Sequence, residues 1–279
     1  MNIGILGLGL IGGSLGFDLR SQGHYVIGVS RRSSTCETAI AMGCVDTAGI
    51  DINLFKTADI VFICTPIGMI VPKFAELITH LPETCIITDV GSVKAPVVEA
   101  MAPHWQNFIG GHPMAGTADS GIEAAQRNLF VDRPYVLTLT NTTPQSVVEV
   151  MAELVSQLGS KLYYSSPENH DLAVSWISHL PVFVSASLIA ACMGEREGQV
   201  LELAQKLASS GFWDTSRVGG GNPELGVMMA QHNRQALLVS LQNYRQQLDE
   251  TIDAIEQEDW QALEAKLTDT QKWRPLFVE

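Results

Sequence analysis

Residues 7–12 read Gly7-Leu8-Gly9-Leu10-Ile11-Gly12, a G-x-G-x-x-G spacing suited to holding a pyrophosphate. The first glycine permits a tight turn, the second lets backbone approach a phosphate, and the third lets a helix pack close to a strand. A short apolar strand (2–6) enters the motif and a helical stretch (10–22) leaves it. Unpaired N–H groups at that helix start would face the anion. The residues after the next strand address the ribose of a bound dinucleotide. A carboxylate there would bond a free 2′-hydroxyl, but this chain has Ser30, Arg31, Arg32, Ser33, Ser34 and Thr35. A guanidinium and several hydroxyls can bind a 2′-phosphate, and no carboxylate repels one. The expected cofactor is NADP rather than NAD.

A second set of residues suits acid–base chemistry. Cys64-Thr65-Pro66 and Thr88-Asp89-Val90-Gly91-Ser92-Val93-Lys94 each end a strand, at the sheet edge where ligands of open parallel sheets bind. Gly110-Gly111-His112-Pro113-Met114-Ala115-Gly116 follows. A histidine between a glycine pair and a proline reads as part of a shaped loop, which makes His112 the best catalytic candidate among the histidines. His24, His80, His104 and His170 lack such a setting and read as ordinary. Ser178-His179-Leu180-Pro181 puts another histidine in an uncharged run, where a satisfied core residue is the commoner outcome. Arg217, at the end of Trp213-Asp214-Thr215-Ser216-Arg217, suits a substrate carboxylate or an inter-helix salt bridge equally well.

The elements that must position these groups fall into two halves. Strands at 2–6, 25–30, 59–64, 85–90, 134–140 and 160–164 alternate with helices at 10–22, 33–43, 69–80, 95 onward and 144–158. That alternation implies a Rossmann-type, doubly wound parallel sheet over residues 1–165. Its strands are nearly continuous apolar runs, as expected when both faces are covered. Beyond residue 166 the period turns to about 3.6, over 168–193, 196–210 and 224–270, so residues 166–279 read as an all-α domain. Gly219-Gly220-Gly221 marks a loop or hinge.

Composition excludes several classes. The 279 residues carry 17 Lys and Arg against 30 Asp and Glu, a net charge of -13, so neither nucleic acid nor an anionic membrane is an expected partner. Five cysteines without a CxxC pair argue against a disulfide framework or a zinc site and for a reducing cytoplasm; no metal is expected. Residues 1–17 hold six glycines and no basic segment, unlike a signal peptide. Residues 172–194 lack Asp, Glu, Lys and Arg, but His179, Pro181 and the lack of flanking basic residues fit a helix buried in a helical domain or subunit interface better than a membrane span. The low charged fraction, 17%, also hints at apolar surface buried between subunits.

GLGLIG at 7–12, TDVGSVK at 88–94, GGHPMAG at 110–116, SHLP at 178–181 and the late Arg217 together resemble the prephenate/arogenate dehydrogenase family over essentially the whole chain. The resemblance implies oxidative decarboxylation of a cyclohexadienyl substrate to tyrosine or its keto precursor, by a homodimer built through the helical domain. It implies His112 as general base on the substrate 4-hydroxyl, Ser92 orienting that hydroxyl and His112, Arg217 on a substrate carboxylate, His179 as a substrate-site donor, and Thr65 and Pro66 near the nicotinamide. Prephenate-specific members often carry S-H-L-P-H; this chain has Val182 instead, which points to arogenate. The helices end near Glu279, leaving no expected regulatory module or fused mutase. A β-hydroxyacid dehydrogenase would need a catalytic lysine in the second domain, where Lys206 has the look of a solvated helix residue. A non-catalytic NADP sensor would not need His112, Ser92 and Arg217 together.

Overall fold

A computed structural model describes residues 1–117 and 119–278. Residues Met1–Arg234 form one compact unit and the chain from Gln235 onward a second. The first unit is built on an eight-stranded sheet in the order β3-β2-β1-β4-β5-β6-β7-β8. In chain order its elements are β1 (Asn2–Leu6), α1 (Leu10–Ser21), β2 (Tyr25–Val29), α2 (Ser33–Met42), β3 (Thr47–Gly49), β4 (Ile60–Ile63), α3 (Ile67–Leu77), β5 (Ile86–Asp89), α4 (Ala95–Met101), β6 (Phe108–Pro113), β7 (Pro134–Thr138), α5 (Gln145–Gln157) and β8 (Lys161–Ser165).

Strand periodicity explains why helices cover both faces. Side chains alternate across a strand, and here both alternating sets are apolar. Ile3, Ile5, Ile60 and Phe62 enter one core with Leu15 of α1 and Met151 of α5. Leu6, Val61, Ile63 and Ile87 enter the other with Phe74 of α3 and Val98 of α4. Strand order reverses between β1 and β4, so the carboxyl ends of these two strands open a crevice at the switch point.

Three features depart from the sequence reading. The short strand β3 pairs with β2 although its residues Thr47-Ala48-Gly49 carry no apolar run. The sheet is parallel except at β6 and β7, which pair antiparallel, His112 opposite Val136. His112 itself lies near the carboxyl end of strand β6 rather than in a loop. Gly110 and Gly111 hid that strand: they weaken strand propensity, but each lies where a side chain would strike a neighbour. A β-carbon on Gly111 would sit 2.7 Å from the Asp89 carbonyl oxygen.

The first unit continues through α6 (Pro167–Val174), a π-helical turn at Ser175–His179, α7 (Leu180–Met193), α8 (Gly198–Leu207), α9 (Ser210–Ser216), a 3-10 turn at Arg217–Gly220 and α10 (Pro223–His232). The stretch Pro167–Met193 is long and apolar enough to cross a membrane. Its π turn carries the fully buried Ser175 and His179, and Ser185 of α7 accepts the Gly219 N–H at 2.8 Å. The 224–270 stretch, expected as one helical region, is three helices: α10, α11 (Arg234–Glu256) and α12 (Trp260–Trp273). In the second unit Lys266 of α12 bonds the Gln247 carbonyl (2.7 Å) and the Thr251 hydroxyl (3.0 Å) of α11.

Candidate active site

The glycine motif forms the turn from β1 into α1. Gly7 holds φ +107°, the left-handed region, and a β-carbon there would meet the Cys64 carbonyl oxygen at 2.7 Å. A β-carbon on Gly12 would overlap the Gly7 carbonyl oxygen, so only glycine lets α1 approach this closely. Gly9 is different: nothing among the described residues lies within 4 Å of where its side chain would be, and it begins α1 with no side-chain cap. The helix therefore presents uncapped N–H groups beside open space, the arrangement that binds an anion.

That space is the mouth of a cleft of about 340 Å³ lined by Gly7, Leu8, Gly9, Ser30, Arg31 and Thr65 among others. Pro66 also lines it and starts α3. Arg32 and Thr35 stand outside the lining. Arg32 instead precedes α2, whose first turn carries Ser33, Ser34 and Thr35, no acidic residue and no side-chain cap. Leu10, Ile11 and Gly12 also stand outside the lining; Gly12 serves packing. The cleft's wall includes an ion pair missed in the sequence, Lys73 with Glu76 at 2.6 Å.

The second cluster starts from a buried ion pair. Asp89 ends β5, and its carboxylate pairs with the fully buried Lys94 ahead of α4. The same carboxylate accepts the Gly91 N–H at 2.9 Å, and Lys94 Nζ donates to the Gly111 carbonyl at 2.8 Å. Burial pushes the Lys94 pKa down, while Asp89 and Asp171 oppose that push. The TDVGSVK segment is thereby tied to β6, one residue before His112.

His112 is buried, and its Nδ1 lies 2.8 Å from Nε2 of His170. His170 Nδ1 in turn lies 2.8 Å from the Asp171 carboxylate. Asp171 accepts the backbone N–H groups of Lys94 (2.6 Å) and Ala95 (2.8 Å) as well. His170, which the sequence left as ordinary, is thus a direct partner of the best candidate base. The missed signal was the adjacent pair His170-Asp171 at the start of the helical half, a histidine beside an acceptor. The other histidines set aside stay apart: His24 meets Gln157 and His80 meets Asn53.

His179 is fully buried and close enough to feel both His170 and Asp171. Its Nδ1 lies 3.1 Å from Asn233 Nδ2, which also donates to the Asp171 carbonyl. An amide nitrogen is a donor, so Nδ1 accepts and Nε2 carries the proton. That Nε2–H is buried with no partner among the described residues. Ser92 is half-buried and its hydroxyl makes no hydrogen bond among the described residues, so no bond joins it to His112 here. Arg217 is exposed and forms no salt bridge among the described residues. Burial depresses the pKa of both histidines. His112 falls well below its usual 6.5, helped by His170, Lys94 and His179, and His179 falls to about 4.

Residues 15–164 match the family model described as prephenate dehydrogenase, nucleotide-binding domain, and residues 166–269 match prephenate dehydrogenase, dimerization domain. The chain belongs to the prephenate dehydrogenase family. The *Bacillus subtilis* prephenate dehydrogenase is 32% identical over 262 residues, 91% of this chain and 70% of that one. The crystal structure of *Synechocystis* arogenate dehydrogenase superimposes with a TM-score of 0.93 at 55% identity, covering all of both chains. Prephenate dehydrogenase from *Aquifex aeolicus*, solved with hydroxyphenyl propionate and NAD+, gives a TM-score of 0.92 at 26% identity, over 98% of this chain and 97% of that one. Membership makes the chain an oxidoreductase of the prephenate/arogenate dehydrogenase class with a nicotinamide-dinucleotide domain. It also displaces the β-hydroxyacid dehydrogenase reading, in keeping with Lys206, which is exposed and paired with Glu202.

Neutral buried histidines link folding to pH. Below about 6.5 the unfolded chain protonates His112 and His179 while the folded chain does not. Stability is therefore full above that pH and falls as pH drops towards 4. For His179 alone the loss is about 3 kcal/mol. Urea midpoints measured from pH 8 to pH 4.5 should be flat at first and then fall. A His179→Gln protein should show a shallower fall, and equal slopes in the two proteins would refute the assignment.

Proposed function

We propose that this family member catalyses the NADP-dependent oxidative decarboxylation of arogenate to tyrosine, in tyrosine biosynthesis. The observation that carries the substrate assignment is the 55% identity, over the full chain, to *Synechocystis* arogenate dehydrogenase. Val182 in place of a second histidine in SHLPV agrees with it. The second reading, prephenate to 4-hydroxyphenylpyruvate, draws on the *Bacillus subtilis* relative. Homodimerisation through the helical half is supported by the matched dimerization domain and by exposed apolar residues there, among them Trp213, Leu203 and Leu207.

The cofactor half of the proposal rests on Arg31 in the cleft and on the open, acid-free first turn of α2 beside it. A 2′-phosphate there would meet a guanidinium and helix N–H groups. The bound nicotinamide supplies a hydride acceptor.

The chain's own residues then handle a proton and two carboxylates. As C4 of the ring gives up its hydrogen as hydride, His112 accepts the proton of the C4 hydroxyl on Nε2. The ring becomes a vinylogous β-keto acid, so its C1 carboxylate leaves as carbon dioxide and the bonding pair aromatises the ring. His112 returns the proton to the phenolate oxygen, and no proton is lost overall. His179 offers its Nε2–H, which has no partner among the described residues, to a substrate oxygen, and the exposed guanidinium of Arg217 takes a carboxylate. Ser92 orients the 4-hydroxyl by moving its free hydroxyl onto it when substrate is present.

Four experiments test these parts. Cofactor reduction followed at 340 nm with arogenate and prephenate side by side should show turnover with arogenate; better turnover with prephenate would replace the substrate assignment and leave the mechanism. His112→Asn should lower kcat by about 10² to 10⁴. Because burial holds His112 well below 6.5, log kcat/KM in the unmodified enzyme should be flat at neutral pH and fall only in more acidic buffers; a limb centred at or above 6.5 would contradict a buried neutral base. Ser30→Asp combined with Arg31→Ala should erase the preference for NADP over NAD, and an unchanged ratio of kcat/KM values would show that these residues do not read the 2′ position.

A further inference from the structure

We propose that His170 and Asp171 fix the tautomer of His112, presenting its Nε2 lone pair to the substrate. The inference rests on the reading of His112 as the base and adds a positioning pair to it. With both imidazoles neutral, hydrogen-bond roles along the chain leave one consistent assignment. Both Asp171 oxygens already accept backbone N–H groups, from Lys94 and Ala95. Asp171 is therefore the acceptor towards His170, and His170 Nδ1 carries the proton between them. In a neutral His170 the other nitrogen, Nε2, is then a lone pair. It lies 2.8 Å from His112 Nδ1, so His112 must donate there. A neutral His112 protonated on Nδ1 has its lone pair on Nε2.

Free imidazole has no such fixed choice, and the opposite tautomer would leave Nε2 protonated and useless as a base. When Nε2 accepts the substrate proton, His112 becomes an imidazolium whose Nδ1–H stays bonded to His170. That bond becomes charge-assisted and is backed by the Asp171 carboxylate. No second proton has to move. The rings meet edge to face, centroids 5.1 Å apart and planes at 71°, so the contact is a directed hydrogen bond and not a stack. The charged and titratable groups around the pair are Asp171 on α6, His179 on the π turn, and Lys94 with Asp89 at the end of β5. Lys94 and Asp89 are bonded to each other, and His179 Nδ1 to Asn233, so none competes for His112 Nδ1.

The test is nitrogen NMR of the full chain, labelled with 15N-histidine and saturated with NADP+, with the His112 signals assigned by their loss in His112→Asn. The expected pattern at neutral pH is a protonated Nδ1 and an unprotonated Nε2 on His112. His170→Leu should lower kcat by about tenfold or more while leaving the Kd for NADP+ unchanged. His170→Gln, whose amide oxygen can stand where Nε2 was, should recover much of that loss. Protonation of His112 on Nε2 in the unmodified enzyme would overturn the proposal, as would a His170→Leu enzyme with full kcat. The His112→Asn assay fails or succeeds separately: retained turnover there would remove His112 as the base and leave the measured tautomer standing.

Discussion

Asp89 and Lys94 are a carboxylate and an ammonium with no access to water. Two charges taken out of solvent must find each other and further polar partners, because losing one of them costs about 3–5 kcal/mol. Here those further partners are the backbone of the active site itself. Gly91 donates to Asp89 and Lys94 donates to the Gly111 carbonyl. The pair therefore clamps the end of β5, the following loop and β6 in a single arrangement. Asp171 extends the clamp into the helical part of the same unit through the N–H groups of Lys94 and Ala95. His112 and His170 are held at opposite ends of that polar network, which is why residues 58 apart in sequence meet at 2.8 Å.

At the other end of the crevice the constraint is steric rather than electrostatic. Gly7 and Gly12 are required by backbone that lies too close for a β-carbon, whereas Gly9 faces empty space. The same motif thus contains two packing glycines and one facing the open cleft. The tight turn and the ligand surface come from one short segment because α1 must start immediately where β1 ends, at the switch point of the sheet.

The nucleotide half was legible because its strands alternate strongly apolar runs with helices, and two-faced burial leaves a signal in every residue. The family resemblance was equally legible, since TDVGSVK and GGHPMAG are contiguous. What the sequence obscured has physical causes. β6 was concealed by Gly110 and Gly111, which are there because the neighbouring Thr138 side chain and Asp89 backbone leave no room for more. His170 was set aside because its meaning is wholly tertiary: a histidine in the first turns of a polar-looking helix acquires its partner only when α6 packs beside α4 and β7. Lys94 was quoted as part of a motif, yet nothing local says that a lysine is fully buried. Arg217 stands exposed, and spacing along the chain carries no information about which anion a guanidinium there meets.

Burial of His112 has a cost that the proposed chemistry tolerates. A base held well below its ordinary pKa is neutral at physiological pH, hence always available, but it holds a proton weakly. In a reaction that consumed the proton this would be a poor compromise. Oxidative decarboxylation of a 4-hydroxycyclohexadiene instead borrows the proton while hydride leaves and hands it back once the ring is aromatic. A weak, fixed and permanently neutral acceptor suits a loan of that kind. In the proposed reaction the imidazolium exists only while carbon dioxide departs, and for that interval its Nδ1 faces a partner that contacts a carboxylate. The dry surroundings that lower the pKa also keep bulk water from competing for the proton, so availability and directed return come from the same burial.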